Sequence, residues 1–229
     1  MTAARTGAAE SVARALSYGG AGLLVAVTVL LVLLATLPGR QPFLATTVSS
    51  NAYGSHGGLV FSALLLFGLA TAMFALALGL RLRGAAGVTC GLLVAVWAGA
   101  AVFDAFVPTT SRHHLGTAFG QVHTMIAVAG IVAQVIAALV YLRVVRRRLG
   151  RVSAQQLAVT GFVLAGAAFM ALHPNSLAGL SERLLFAASA IWMLTSAWTA
   201  PPRASRTERA RHCRRHAHLA DDVDLSRVS

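Results

Sequence analysis

Long runs of apolar residues alternate with short polar segments along most of the chain. A bilayer core is about 30 Å thick, so a helix needs about 20 apolar residues to cross it. Helices suit lipid because each one satisfies its own backbone hydrogen bonds. The pattern predicts an all-α polytopic membrane bundle of six transmembrane helices. The predicted spans are 16–37, 58–80, 85–106, 117–142, 153–172 and 181–199.

Turn-forming residues occupy the joints between the predicted spans. Pro38 and Gly39 end the first span. The short polar segment 81–84 predicts a tight turn, which makes the second and third spans antiparallel neighbours. Ser181 is predicted to be the N-cap of the sixth helix, because a serine hydroxyl accepts a hydrogen bond from the first turn.

Polar segments flank the predicted bundle. Residues 1–15 are predicted to form a cytoplasmic N-terminal segment, residues 16–199 the six-helix domain, and residues 200–229 a cytoplasmic tail. The tail is rich in arginine and histidine, lacks apolar periodicity, and is predicted to be disordered. It has no aromatic residues or recognition motif, so we expect it to contact lipid headgroups and expect no nucleic acid as a partner.

Composition supports the membrane interpretation. Hydrophobic residues make up 57% of the 229 residues and charged residues only 11%, whereas a soluble domain carries about 25% charged residues. Two cysteines cannot form a disulfide framework. All 19 basic residues are arginines, which excludes chemistry based on a lysine Schiff base or a P-loop lysine.

The arginines predict the orientation of the bundle. The N-terminal segment, second loop, fourth loop and tail carry two, two, five and seven arginines, while the other three loops carry one each. Basic residues accumulate on the cytoplasmic side of membrane proteins. The sequence therefore predicts a multi-pass protein of the cell membrane with both termini in the cytoplasm. The apolar core of the first span is longer than that of a signal peptide, so we expect this span to be retained.

Between the first span and the tail, the titratable side chains gather near the extracytoplasmic side, apart from Tyr141, Cys90 and the arginines of the cytoplasmic loops. Such groups are costly in lipid and suggest function. Asp104 and His123 are joined by a short loop, so we expect them to meet. A carboxylate beside an imidazole orients it for a proton relay, a metal half-site or general-base catalysis. The predicted pocket consists of Asp104, His123, Gln121, His173, Glu182 and Arg112.

A structural interpretation of these residues remains open. Asp104 would then pair with Arg112 or cap a neighbouring loop, and His123 would donate one hydrogen bond between helices. Metal spacing is poor, because no His-Glu-x-x-His or Cys-x-x-Cys motif occurs, although ligands from separate loops can still meet around zinc. No cofactor follows from the sequence, and haem is disfavoured because only one histidine lies well within a span. The weak metal candidates are His56, His113, His114 and His123.

Short motifs at the extracytoplasmic side carry a family resemblance. Val48-Ser49-Ser50 lies in a polar first loop that leads into a glycine-rich second span. The third span ends in the sequence FDAFVPTT at 103–110, and Gly120-Gln121-Val122-His123 opens the fourth. Together these motifs resemble the bacterial and archaeal six-helix membrane family known as domain of unknown function 998.

The resemblance covers 16–199 and leaves the tail outside. It implies a six-helix fold and a membrane location, and it implies no established activity. The family pattern has an aspartate two residues after the proline of the third loop, whereas this chain has Thr110 there. The nearest carboxylate in this chain is Asp104, four residues before that proline.

Three functions are compatible with the sequence. The first is a membrane protein of unassigned activity whose extracytoplasmic pocket binds a small molecule, an ion or a lipid headgroup. The second is a membrane-embedded, metal-dependent lipid hydrolase, so whether the chain is an enzyme stays open. The third is a transporter, which is disfavoured for charged substrates because the cytoplasmic halves of the spans offer few polar groups. Those groups are Gln134, Thr160, Thr195 and Ser196.

Overall fold

A computed structural model describes residues 2–37, 46–50, 55–82, 84–107, 118–172 and 175–199. Over these ranges the chain forms six α-helices and no strand, which confirms the predicted all-α bundle. A 3₁₀ turn, Asn175–Leu177, leads into the last helix. The helices are α1 Thr2–Thr36, α2 Gly57–Leu82, α3 Gly84–Phe106, α4 Ala118–Leu149, α5 Ala154–Leu172 and α6 Ala178–Thr199.

Five of these helices, α1 to α5, are long and apolar enough to cross a membrane. Their outer faces carry large exposed apolar side chains, including Val25, Leu76 and Leu92. Such faces are stable against lipid and not against water. The chain is therefore a multi-pass membrane protein. Whether α6, with Glu182 and Arg183 near its start, makes the sixth crossing stays a prediction.

Several helices extend beyond the predicted spans. Helix α1 begins at Thr2 and not at residue 16, because the polar segment before the apolar run is rich in alanine, the strongest helix former. Helix α4 continues to Leu149 through three arginines, which are also good helix formers. The prediction that Ser181 caps α6 is wrong. The helix begins at Ala178, and the Ser181 hydroxyl donates to the Ala178 carbonyl at 2.8 Å.

Local signals explain two of the joints. Gly84 has a φ of 71° and Gly150 a φ of 70°, a left-handed conformation that glycine adopts without steric cost. Gly150 ends α4, and its N–H donates to the Arg146 carbonyl at 3.0 Å. Ser153 and Gln156 form a reciprocal capping box at the start of α5, with bonds of 3.1 and 3.2 Å.

Helix α2 lies centrally, packing closely against α1 and α3 and also touching α6. Glycine allows close approach here, since a Cβ at Gly91 of α3 would lie 3.0 Å from the Ala75 carbonyl of α2. At mid-height, Phe67, Trp97 and Phe186 form the aromatic cluster, with ring centroids 4.7 to 6.2 Å apart. This cluster joins α2, α3 and α6 in the core.

The bundle has two ends, which we name the His123 end and the Tyr141 end after residues on α4. At the Tyr141 end, the Tyr18 and Trp198 rings lie 6.3 Å apart. The carboxylate of Glu10 lies 3.4 Å from the buried Arg81 guanidinium at this end. The start of α1 and the finish of α6 therefore share one end of the bundle. Its assignment to the cytoplasmic side stays the prediction from the arginines.

Candidate functional site

Two buried ionisable side chains meet at the His123 end. Asp104 comes from the last turn of α3 and His123 from the second turn of α4, and each is 7% exposed. The Asp104 Oδ1 atom lies 3.3 Å from the His123 Nδ1 atom. The structure thus brings the predicted carboxylate and imidazole together. Their role in a pocket stays a prediction.

The hydrogen bond of His123 fixes its tautomer. The Nδ1 atom lies 2.7 Å from the Val107 carbonyl oxygen, which can only accept. Nδ1 therefore carries a proton and donates it to this carbonyl, leaving Nε2 as the ring atom that can gain or lose one. Because Val107 follows α3, the bond also satisfies a carbonyl at the helix end. This is the structural role that the sequence left open for His123.

The carboxylate of Asp104, unlike His123, has an atom without a hydrogen-bond partner among the described residues. Its Oδ1 atom is buried and has no hydrogen-bond donor in the part of the chain that the structure describes. The contact with His123 does not supply one, because the Nδ1 proton points to Val107. A buried carboxylate oxygen without a donor is costly, so such atoms usually serve a ligand, a water molecule or an ion.

A second carboxylate, Glu182 of α6, is buried at the same end and is fully engaged. It accepts hydrogen bonds from the backbone N–H groups of Val48 and Ser49. Its neighbour Arg183 donates to the Thr46 carbonyl at 2.9 Å and to the Gly179 carbonyl at 2.7 Å. We call residues 46–50 the first-loop turn. Two adjacent side chains of α6 hold it: Arg183 binds the carbonyl at its start, and Glu182 binds the two N–H groups that follow.

The first-loop turn folds into the bundle. Val48 is 2% exposed and packs against Val60, Leu64 and Ala105, the residue next to Asp104. The charges of Glu182 and Asp104 also interact. The site is therefore bounded by α3, α4, α6 and the first-loop turn, with the carboxyl groups of Asp104 and Glu182 in mutual electrostatic range.

The other predicted residues divide into three groups. Gln121 is exposed, because it lies two residues from His123 on a different face of α4. His56 is half-buried just before α2, where its carbonyl accepts a bond from the Leu59 N–H. The remaining predicted residues lie outside the described ranges, and within those ranges no group of three metal-ligating side chains occurs. These undescribed residues are Arg112, His113, His114 and His173.

Sequence reasoning missed the backbone partners of the site. The carbonyl of Val107 is the hydrogen-bond partner of His123, and the N–H groups of Val48 and Ser49 are those of Glu182. Every residue carries these groups, so no residue type signals their use. The serine of the first loop was the one available hint, through its place in the family pattern.

Comparison with known proteins gives one match. The family model described as Protein of unknown function (DUF998) matches residues 4–199 of the chain. No curated protein and no solved structure matches. The matched segment contains all six helices apart from the first residues of α1, and also the whole candidate site.

Proposed function

Because this chain belongs to the DUF998 family, whose description assigns no activity, we propose a function from the site itself. The chain binds a small ligand whose cationic amine contacts the Asp104 carboxylate beside His123, on the extracytoplasmic side of the membrane. The observation that carries this proposal is the buried Oδ1 atom of Asp104, which lacks a donor among the described residues.

The charges around the site favour a cation. Asp104 and Glu182 each contribute a carboxyl group, and Arg183 contributes one guanidinium beside Glu182. With a neutral His123, Asp104 has no positive partner in the described part of the chain, so an ionised Asp104 requires a cation from outside the protein. Buried charges in membrane proteins are paired, so a ligand with one positive charge fits this gap. A free organic amine and an amine-bearing lipid headgroup share this chemistry.

Thermal unfolding of the full-length protein in detergent tests the ligand class. Ethanolamine, protonated at neutral pH, should raise the Tm of the wild-type protein, whereas ethylene glycol, its uncharged analogue, should not. Asp104→Asn should abolish the rise, while the same change at Asp221 in the tail should preserve it. An equal rise for wild type and Asp104→Asn would refute binding at this carboxylate.

Native mass spectrometry separates the two ligand sources. If an amine headgroup is bound, phosphatidylethanolamine should co-purify with the wild-type protein and be depleted from Asp104→Asn. If the ligand is a free amine, both proteins should carry the same lipids and only the ethanolamine response should differ. Equal lipids together with equal responses to ethanolamine would contradict both sources.

The native cysteines allow a test of orientation. Cys90 is fully buried, so Cys213 in the tail is the thiol that a membrane-impermeant maleimide is expected to reach. We expect no labelling in intact cells and rapid labelling in inverted membrane vesicles. Labelling in intact cells would put the tail outside and the site on the cytoplasmic side.

The hydrolase and transporter hypotheses gain no support from the geometry of this site.

A further inference from the structure

Five buried side chains of α4, α5 and α6 form a second polar group, the interior polar cluster. Each is at most 2% exposed, and each has a nitrogen or oxygen atom without a hydrogen-bond partner in the described part of the chain. In Gln134 both the amide nitrogen and the amide oxygen lack partners. The members of the cluster are Gln134, Thr160, Ser189, Trp192 and Ser196.

The hydroxyl groups of this cluster differ from others in the same bundle. A serine or threonine within a helix can donate to the carbonyl four residues earlier. Ser17, Thr71 and Thr199 do so, at 2.8, 2.7 and 2.7 Å. The three hydroxyl groups of the interior polar cluster make no such bond and are available to another partner.

Contacts between α4 and α6 place two members at one level. These helices run in the same direction, and the Tyr141 hydroxyl donates to the Ser196 carbonyl at 3.3 Å. Gln134 precedes Tyr141 by about two turns, and Ser189 precedes Ser196 by about two turns. Gln134 and Ser189 therefore lie at about the same height in the bundle. Both side chains are fully buried, so both are in its interior.

Helix α5 runs in the opposite direction and adds Thr160. The Gln156 amide donates to the Thr199 hydroxyl at 3.4 Å, which fixes the register of α5 against α6. Thr160 lies about one turn beyond Gln156, and Ser196 about one turn before Thr199. Thr160 is therefore level with Ser196. The cluster extends over about 10 Å of bundle height, from the level of Gln134 to that of Ser196.

The interior polar cluster is separate from the Asp104–His123 pair. Gly130 lies between His123 and Gln134 on α4 and packs against Trp97. Trp97 belongs to the aromatic cluster, which therefore occupies the level between the two polar groups. The interior polar cluster is thus independent of the proposed amine site.

The interior polar cluster is uncharged and contains both hydrogen-bond donors and hydrogen-bond acceptors. It offers an amide oxygen as acceptor, amide and indole N–H groups as donors, and hydroxyl groups that act as either. No charged side chain belongs to it. Polar groups inside a membrane bundle are stable only when paired or hydrated, and ordered water needs two to four such partners.

We propose that the interior polar cluster binds an uncharged hydrogen-bonding ligand, either ordered water or a small solute with hydroxyl or amide groups. Gln134 is the anchor, because its donors and its acceptor both lack a partner among the residues that the structure describes. The ring of Trp192, which contacts the Tyr141 ring at 5.7 Å, forms an aromatic wall of the site. Sites of this kind combine apolar walls with a few convergent polar groups.

The sign of a change in Tm tests the proposal. Gln134→Met removes the amide from the full-length protein while nearly preserving its shape. If the amide binds a ligand, the Tm should fall by about 3–6 °C. If the amide is dry and unpaired, its removal should raise the Tm or leave it unchanged, and either result would overturn the proposal. Gln121→Met, on the exposed face of the same helix, is the matched control and should shift the Tm by less than about 1 °C.

A second variant covers the case in which Gln134→Met fails to fold. Ser189→Ala should also lower the Tm, since it removes another ligand contact without a change of helix packing. When both single variants fold, the double variant should lose less Tm than the two losses combined, because one ligand couples the two positions. A rise in Tm for Ser189→Ala, or strictly additive losses, would overturn a shared site.

Mass spectrometry of the supernatant after denaturation identifies the source of the ligand. A solute released by the wild-type protein and missing from Gln134→Met would identify an organic ligand. A fall in Tm without any released solute would identify water. A solute released equally by both proteins would refute its assignment to this cluster.

Discussion

The two ends of the bundle use their polar groups differently. At the Tyr141 end, the Tyr141 hydroxyl lies within hydrogen-bond distance of the Ser196 carbonyl and the Thr199 hydroxyl, and the Gln156 amide donates to the same threonine. Arg148 donates to the Leu82 carbonyl across the joint of α2 and α3. At the His123 end, Asp104 keeps a buried oxygen without a donor among the described residues. The paired groups named at the Tyr141 end hold helices together, whereas the carboxylate oxygen without a donor at the His123 end suits a ligand.

The ion pair between half-buried Glu10 and buried Arg81 at the Tyr141 end should give the largest effect on stability. Glu10→Gln leaves the guanidinium of Arg81, which is 6% exposed, without its carboxylate. Removing one partner of a buried pair costs about 3 kcal/mol. Denaturant unfolding in detergent should show this loss. Arg14, whose side chain is 65% exposed, contacts the same carboxylate, and Arg14→Gln should cost less than about 1 kcal/mol. Equal losses for Glu10→Gln and Arg14→Gln would show that the contact with Arg81 adds no stability beyond that of an exposed ion pair.

Removal of the Tyr141 hydroxyl should give the second largest loss of stability. Tyr141→Phe removes the group that bridges α4 to α6, and we expect a loss of about 1–2 kcal/mol in the free energy of unfolding. Tyr18→Phe, an exposed position at the same end, should be neutral. An unchanged free energy of unfolding for Tyr141→Phe would show that these hydrogen bonds do not hold α4 to α6.

Asp104 should give the smallest effect, with the opposite sign. Asp104→Asn removes a buried charge that has no donor in the described ranges, so stability without ligand should rise by about 1 kcal/mol or stay constant. A loss above about 2 kcal/mol would show that the carboxylate is paired within the protein. A matching loss for Arg112→Gln would then identify the structural pair that the sequence left open.

Most of the fold follows from the sequence, because apolar runs of membrane length are a strong signal. The bounds of α1 and α4 were underestimated, since helix propensity continues into polar segments where the apolar pattern stops. Ser181 was misassigned because the helix begins one turn earlier, after a 3₁₀ turn that no apolar pattern marks.

Only part of the candidate site could be predicted from the sequence. A short loop between two spans was enough to expect Asp104 beside His123. The attachment of Glu182 to the first-loop turn was not predictable, because it joins backbone groups to a side chain 134 positions away. The missing partners in the interior polar cluster were equally hidden, since they depend on side-chain direction and not on residue type.

The attachment of the first-loop turn to α6 has a consequence for biogenesis. The ribosome delivers α1 and α2 to the bilayer long before Glu182 and Arg183 are synthesised, so the turn between those helices waits without its anchors. Contacts between such distant positions form late during folding. The proposed amine site would therefore become complete only when the last helix docks. A chain truncated before α6 would enter the membrane without the residues that anchor the first-loop turn.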